Sequence, residues 1–199
     1  MHKAKKQQLK TTKNHAKMGA IRIIAGKHRG RKLPVLMADG LRPTTDRTKE
    51  TLFNWLMPYI NNSNCLDCFA GAGSLSFEAL SRGARNITLF ELDKAAAKQL
   101  NENKKLLSAS NIKVIHGNAL KFLAQPTAEQ YDIVFIDPPF HKGLAEQALA
   151  LVNNGWLNKN ALIYVEVESN ASTPSLPDDW LLLKEKIAGQ VAYRLYQAS

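Results

Sequence analysis

The sequence predicts an α/β fold built on a seven-stranded, mostly parallel sheet with one antiparallel strand and with helices on both faces. Its 199 residues suit one domain with a small extension, and its 45% hydrophobic and 22% charged residues are ordinary for a globular protein. From residue 64 onward, short apolar runs alternate with helical stretches, which is typical of parallel strands joined by helices. A tight turn at 188–190 joins the final two strands, and such a turn connects only antiparallel neighbours.

The N-terminal part of the chain is expected to stand apart from this sheet. Residues 1–19 are polar and rich in lysine, and they are predicted to form a flexible tail because they contain no apolar block. Residues 20–60 are predicted to form a small extension made of a β-hairpin and a helix. Two short runs, 21–26 and 31–36, flank the hairpin loop, and the threonines and aspartate at 44–46 can cap the helix that follows.

Residues 61–199 are predicted to form the main domain. The apolar runs place its strands at 64–70, 86–91, 112–116, 131–137, 161–168, 180–186 and 190–196. Helices are expected near 74–82, 94–108, 118–124 and 143–153. In an open sheet of this kind, a ligand is expected beyond the carboxyl ends of the parallel strands.

A glycine-rich turn follows the first of these strands. Gly71 and Gly73 allow the backbone to approach a ligand closely, and the next helix offers free N–H groups to an anion. Glu91 ends the following strand, 20 residues after Gly71, where a carboxylate can accept hydrogen bonds from both ribose hydroxyls. The arrangement indicates a nucleoside cofactor and leaves both NAD and S-adenosylmethionine open. Ser76 stands at the third glycine position, which weakens the NAD alternative.

A second candidate site is the run Asp137-Pro138-Pro139-Phe140, which directly follows an apolar strand. Consecutive prolines make a stiff corner because each fixes its φ angle and lacks an N–H group. The Asp137 carboxylate and the Pro138 carbonyl can accept the hydrogens of an exocyclic base amine and turn its lone pair out of conjugation. The amine can then attack the methyl group of a sulfonium, a reaction that depends on positioning and charge stabilisation. Phe140 can stack on the base.

Basic residues are concentrated near the N-terminus. The first 49 positions hold 14 of the 27 lysines and arginines but only 2 of the 17 acidic residues, which predicts a polyanionic partner. A membrane is not favoured because no amphipathic anchor or apolar span accompanies the charge, and the lack of an export signal favours the cytoplasm. The candidate contacts are Arg22, Arg42, Arg47 and four residues that we name the basic loop: Lys27, Arg29, Arg31 and Lys32.

The two cysteines, Cys65 and Cys68, are interpreted as buried thiols. Positions three apart on a strand face opposite sides of the sheet, which argues against a redox pair or shared metal ligands. The histidines have no metal-binding spacing either, so no metal site is predicted.

Several motifs resemble those of the class I S-adenosylmethionine-dependent methyltransferases, which have a Rossmann-like fold. The similarity lies in the glycine-rich segment 67–73, in Glu91 and in the corner at 137–140. The more specific segments 30–33, 41–47, 53–56 and 189–196 resemble the RsmD group of bacterial 16S ribosomal RNA guanine-N2 methyltransferases. The resemblance covers roughly residues 20–197.

This resemblance implies methyl transfer from S-adenosylmethionine to the exocyclic N2 of a guanine in 16S rRNA. It further implies a monomeric enzyme that acts on an assembled or assembling 30S subunit, with the basic residues contacting RNA. It assigns catalysis to Asp137, Pro138, Pro139 and Phe140. It assigns cofactor binding to Asp67, Phe69, Ala70, Gly71, Gly73, Glu91, Leu92, Asn118, Ala119 and Asp137.

Within this assignment, the glycines hold the methionine end of the cofactor and Asp67 takes its ammonium group, directly or through water. Glu91 binds the ribose hydroxyls, Leu92 packs on adenine and Asn118 meets the adenine amine. Three alternatives stay open: methylation of another amine (adenine N6 of DNA or RNA, or a protein amide), an RNA-binding assembly factor without activity, and an NAD-linked oxidoreductase.

Overall fold

The computed structural model describes residues 18–36, 45–140, 143–170 and 175–199. The seven-stranded sheet has the strand order β5-β4-β3-β6-β7-β9-β8, and β1 and β2 form a separate two-stranded sheet, so the predicted fold class is confirmed. The elements are β1 (Met18–Arg22), β2 (Lys32–Leu36), α1 (Asp46–Trp55), β3 (Asn64–Asp67), α2 (Ser74–Ser81), β4 (Asn86–Glu91), α3 (Lys94–Leu106), β5 (Ile112–His116), α4 (Ala119–Leu123), β6 (Tyr131–Ile136), α5 (Leu144–Val152), β7 (Leu157–Glu168), β8 (Leu181–Ala188) and β9 (Val191–Gln197).

The reversed strand is β9, which lies between β7 and β8 and is antiparallel to both. A tight turn with Gly189 at φ 63° joins β8 to β9, in line with the prediction that a short connection reverses the chain. The other neighbouring pairs, from β5 across to β7, are parallel. Their carboxyl ends therefore meet at one edge of the sheet, where the glycine turn and the proline corner both begin.

Hydrophobic side chains cover both faces of the sheet. Along β6, Ile133 and Phe135 belong to the core cluster under α1, α2 and α3, whereas Val134 and Ile136 belong to the cluster under α4 and α5. Because a strand alternates its side chains between faces, burial on both sides requires a continuous apolar run. This requirement explains why the apolar runs in the sequence predict the strands.

Side-chain caps set the start of several helices. Of the candidate caps at 44–46, Thr45 is the N-cap of α1, and its side chain accepts from the Thr48 N–H. Asp93 caps α3 in the same way by accepting from the Ala96 N–H at 2.7 Å. Among the described residues, no helix combines the length and the apolar character needed to cross a bilayer.

The hairpin begins earlier than the sequence predicted. Met18 and Gly19, which lie within the predicted flexible tail, pair with Leu36 and Val35 of β2. Alternation along β2 buries its apolar residues against the domain, so this pairing extends a strand that is already anchored. The remainder of the predicted tail, 1–17, lies outside the described residues.

Helix α2 fixes the hairpin loop in place. The buried Glu78 carboxylate accepts from the Ile24 and Ala25 N–H groups at 2.8 and 3.1 Å. The Ser81 carbonyl accepts from the Lys27 N–H at 2.7 Å, and the Ser81 hydroxyl donates to the Ala25 carbonyl. These bonds hold the loop at the carboxyl-terminal end of α2, which is the end away from the glycine turn.

Strand β7 starts at Leu157, four residues before the predicted start at 161. The early part is polar, and the Asn158 side chain donates to the Asp132 carboxylate at 2.7 Å while Leu157 pairs with Tyr131. Polar cross-strand bonding therefore extends the strand where the apolar pattern alone gave no signal.

Candidate active site

The glycine turn between β3 and α2 depends on left-handed backbone at two positions. Gly71 and Gly73 have φ angles of 51° and 76°, a region that favours glycine. A Cβ atom on Gly73 would also lie 2.6 Å from the Leu100 side chain and 2.7 Å from the Phe77 ring. Gly73 is therefore required for the packing of α2, in addition to any approach to a ligand.

Asp67 ends β3 beneath this turn, with 2% of its surface exposed. Its carboxylate accepts from the Ser76 hydroxyl at 2.6 Å and from the Phe69 N–H at 3.4 Å. Burial raises the pKa of Asp67 to about 6, although these two hydrogen bonds act in the opposite direction. Ser76 stands where a dinucleotide-binding motif has its third glycine, and here its side chain instead donates a hydrogen bond to Asp67.

Glu91 joins the end of β4 to the glycine turn. One carboxylate oxygen accepts from the Gly71 N–H and the other from the Asp93 N–H, both at 2.7 Å. Burial raises the pKa of this half-buried carboxyl group. The next residue, Leu92, has 67% of its surface exposed and provides an apolar surface directly beside the acid.

The start of α4 completes this side of the site. The Gly117 N–H donates to the Glu91 carbonyl at 2.8 Å, which brings the end of β5 alongside the end of β4. Asn118 is the N-cap of α4, and its side-chain oxygen accepts from the Lys121 N–H at 3.2 Å. Ala119 is buried beneath it. The Asn118 oxygen is therefore held in place and retains capacity for a second hydrogen bond.

The proline corner follows β6, the strand next to β3. The Cys68 N–H donates to the Phe135 carbonyl at 3.0 Å, so the glycine turn and the corner leave the sheet side by side. Asp137 and Phe140 are half-buried, Pro138 is buried and Pro139 is exposed. The structure thus brings together the two motifs that the sequence assigned to cofactor and to catalysis.

Two residues beside this corner are absent from the sequence-based assignments. Tyr164 and Glu166 lie on β7, and the tyrosine hydroxyl donates to the glutamate carboxylate at 2.6 Å. Glu166 is buried, and burial raises its pKa. The available signal was an acidic residue inside an otherwise apolar strand, because a buried carboxylate is costly and is seldom placed without a role.

The basic residues lie in more than one place. Arg22, Arg47 and the basic loop are exposed, whereas Arg42 lies outside the described residues. The basic loop is at the far end of α2 from the glycine turn, where the Arg31 guanidinium also donates to the Leu106 carbonyl at 2.9 Å. The loop is therefore remote from the proline corner.

The two thiols behave as predicted. Cys65 belongs to the core cluster on one face of the sheet and Cys68 to the cluster on the other face, and both are free and buried. Burial raises the pKa of Cys65 to about 12, which leaves its thiol protonated and unreactive.

Known proteins resemble this chain along most of its length. The family model described as conserved hypothetical protein 95 matches residues 21–197. The ribosomal RNA small subunit methyltransferase D of Escherichia coli K12 is 56% identical over 185 residues, which cover 92% of this chain and 93% of that protein. The Haemophilus influenzae protein of the same name is 58% identical over 183 residues, with coverage of 90% and 94%.

The fold is also shared with proteins of known structure. A solved Escherichia coli structure superimposes with a TM-score of 0.84 at 53% identity, and the match covers 91% of this chain and 99% of that one. The chain therefore belongs to the family described as conserved hypothetical protein 95, which is the RsmD family.

Proposed function

We propose that this protein transfers a methyl group from S-adenosylmethionine to the exocyclic N2 of a guanine in 16S rRNA. The observation that carries the proposal is the adjacency of two sites at the carboxyl ends of β3 and β6. One site offers a glycine turn with two acidic groups, and the other offers a rigid corner with oxygen acceptors. The two curated relatives described above are named as methyltransferases of small-subunit ribosomal RNA.

The residues around the glycine turn fit the methyl donor. Asp67 is an acceptor-only carboxylate when ionised, which suits the ammonium of a methionine tail rather than a phosphate. Glu91 can accept from ribose hydroxyls, the exposed Leu92 can pack on adenine, and Asn118 can meet the adenine amine. When bound, the donor supplies an activated methyl group on a sulfonium. We assign Phe69, Ala70 and Ala119 to the walls of the same site.

The proline corner would prepare the acceptor. The Asp137 carboxylate and the Pro138 carbonyl accept hydrogen bonds from the guanine N2 amine, which turns the nitrogen lone pair away from the ring. Because Pro138 and Pro139 fix the backbone, these acceptors keep their spacing without reorganisation during the reaction. Phe140 stacks on the guanine after it leaves its own stack. The proton released from nitrogen passes to the Asp137 carboxylate or to water.

We propose that the substrate is rRNA within an assembled or assembling 30S subunit, in the cytoplasm. Arg22, Arg47 and the basic loop are exposed and can contact phosphates, and such contacts supply affinity that does not depend on base sequence. We assign Arg42 the same role from its place in the sequence. We propose that the enzyme is a monomer because one chain supplies every residue assigned to the site.

The experiment is a labelling assay with tritiated S-adenosylmethionine and small subunits from a strain that lacks the gene. The expected result is tritium in 16S rRNA, recovered as N2-methylguanosine after digestion and mass spectrometry. The Asp137→Ala variant is the matched control. Label that appears only in DNA or in protein would overturn the guanine assignment, and binding of NAD without binding of S-adenosylmethionine would overturn methyl transfer altogether.

A further inference from the structure

Glu166 is a buried acid in the strand that borders the proline corner. Only 7% of its surface is exposed, and the neighbours Val165 and Val167 are buried in the apolar cluster on the other face of the sheet. A side chain whose role is only to fill the core needs no charge, and burying a carboxylate carries a cost that a neutral residue avoids. A buried carboxyl group beside the proline corner therefore points to a ligand that it meets.

The strand register puts Glu166 next to Asp137. Phe135 pairs with Tyr164 and Ile136 pairs with Val165, so Asp137 and Glu166 occupy the next positions on two neighbouring strands. Neighbouring strands are about 4.8 Å apart, a spacing that one base edge can bridge. The charge of Asp137 also contributes to raising the pKa of Tyr164, which indicates that the two side chains lie close together.

Aromatic residues lie around Glu166, and one of them bonds to its carboxylate. The Tyr164 hydroxyl donates to its carboxylate at 2.6 Å, and Tyr193 of β9 stands opposite Glu166 in the sheet. The Trp55 ring packs on Tyr193 with the centroids 5.7 Å apart. An ionised carboxylate has about four acceptor positions, and within the described part of the chain the Tyr164 hydroxyl fills one of them.

We infer that Glu166 is a specificity residue that accepts a hydrogen bond from guanine N1–H while Asp137 and the Pro138 carbonyl hold the N2 amine. This inference rests on the proposed function. Guanine N1 and N2 are adjacent donors on one edge of the base, so acceptors on neighbouring strands match them. Adenine presents an unprotonated N1 acceptor at the same place, which a carboxylate repels. Tyr164 is then a positioning residue that orients the carboxylate.

The test uses substrates that keep the N2 amine but lack the N1 proton. Small subunits are reconstituted with 16S rRNA carrying guanine, 2-aminopurine or 2,6-diaminopurine at the methylated nucleotide, and kcat/KM is measured for each. The wild-type protein is expected to prefer guanine by at least about 100-fold, since a site built to bond a donor rejects the analogue that lacks it. The exposed, remote Glu129→Gln variant is expected to keep this preference.

The variant Glu166→Gln reverses the polarity at this position, because its amide can donate to an unprotonated N1. It is expected to lose activity on guanine and to gain on 2,6-diaminopurine, so that the ratio of the two values moves by about 100-fold or more. Tyr164→Phe is expected to narrow the preference without reversing it. Each variant is compared with wild type at equal cofactor occupancy, which separates base recognition from donor binding.

The outcomes are distinguishable. Equal wild-type activity on guanine and both analogues would overturn the N1 contact, and this measurement needs no variant to fold. An equal loss on all three substrates in Glu166→Gln would make Glu166 structural and would also overturn the inference. If the wild-type protein methylates no guanine in rRNA, the proposed function itself fails.

Discussion

Replacing Asp67 by Asn should make the cofactor-free protein more stable at neutral pH. The Asp67 carboxylate is buried at the end of β3, and burial raises its pKa from 3.8 to about 6. The shift is about two pKa units, and at about 1.4 kcal/mol per unit it corresponds to about 3 kcal/mol of native-state stability lost on ionisation. Asn keeps the shape and can still accept from the Ser76 hydroxyl, but it never ionises.

The direction of this pH dependence follows from the pH at which the folded and the unfolded chain each release the Asp67 proton. Below about pH 4 the carboxyl is protonated in both the folded and the unfolded chain, so it contributes no pH dependence. Between about pH 4 and 6 the unfolded chain releases its proton while the folded chain retains it, and stability therefore falls as pH rises. Above about pH 6 both states are ionised and the loss is complete. Asp67→Asn lacks this loss.

Urea unfolding of the cofactor-free proteins between about pH 4.5 and 7.5 measures the effect. The free energy of unfolding of Asp67→Asn minus that of wild type should rise by about 2 kcal/mol across this pH range, since about 1 kcal/mol of the full effect is already present at about pH 4.5. The exposed Asp178→Asn serves as the matched control for replacing an acid by its amide. A flat difference for Asp67→Asn would refute the assignment of a raised pKa to this acid.

Although Asp67→Asn should stabilise the cofactor-free protein, it should weaken cofactor binding. If Asp67 pairs with the ammonium of the methyl donor, the Asn variant should bind S-adenosylmethionine at least about tenfold more weakly, since it loses a charge-assisted hydrogen bond. Wild-type affinity should also fall as pH drops below about 6, where Asp67 becomes protonated. Titration calorimetry at several pH values tests both points, and unchanged affinity in the variant would remove Asp67 from the cofactor site.

Three further outcomes are expected. Asp137→Ala should lower kcat by about 100-fold or more while the dissociation constant for S-adenosylmethionine stays unchanged, and an equal loss of cofactor affinity would contradict its role as an acceptor for the base amine. Alanine at all four positions of the basic loop should weaken RNA binding and reduce the dependence of affinity on salt concentration. The double variant Lys184→Ala with Lys186→Ala on β8 should change neither property. The same salt dependence in both variants would show that the RNA does not contact the basic loop. Gly26→Ala should destabilise the fold by about 3 kcal/mol or more, because its Cβ atom would lie only 1.8 Å from the Ser81 carbonyl oxygen of α2. Gly30→Ala has open space around it and should cost about 1–2 kcal/mol. Equal losses of stability in thermal unfolding would refute the contact at Gly26.

Local chemistry made much of this molecule predictable from the sequence. The parallel strands are buried on both faces, so their apolar runs are continuous and their positions could be identified directly. Glu91 and Gly71 were linked by spacing alone, and in the structure the Gly71 N–H donates to the Glu91 carboxylate at 2.7 Å. Both features depend on segments that are consecutive or that are joined by one strand–helix unit.

Features that depend on strand order could not be predicted in the same way. Glu166 becomes a neighbour of Asp137 only because β7 lies beside β6, and Tyr193 joins them only because β9 is inserted before β8. The position of the hairpin loop likewise depends on backbone hydrogen bonds to the buried Glu78, 54 and 53 residues away in sequence. No periodicity in the sequence encodes such long-range pairings, so an acid in an apolar strand was the one signal present.

The distance between the basic loop and the proline corner bears on what the substrate is. Helix α2 has eight residues and spans about 12 Å, with the glycine turn at one end and the basic loop fixed at the other. A stacked nucleic-acid strand advances about 3.4 Å per nucleotide, so phosphates on the basic loop and a base at the corner must be several nucleotides apart. A lone nucleotide is too small to occupy both places, whereas a folded RNA with one base turned out of its stack can. The separation between the basic loop and the proline corner therefore favours a substrate that is recognised by its folded shape over a single nucleotide.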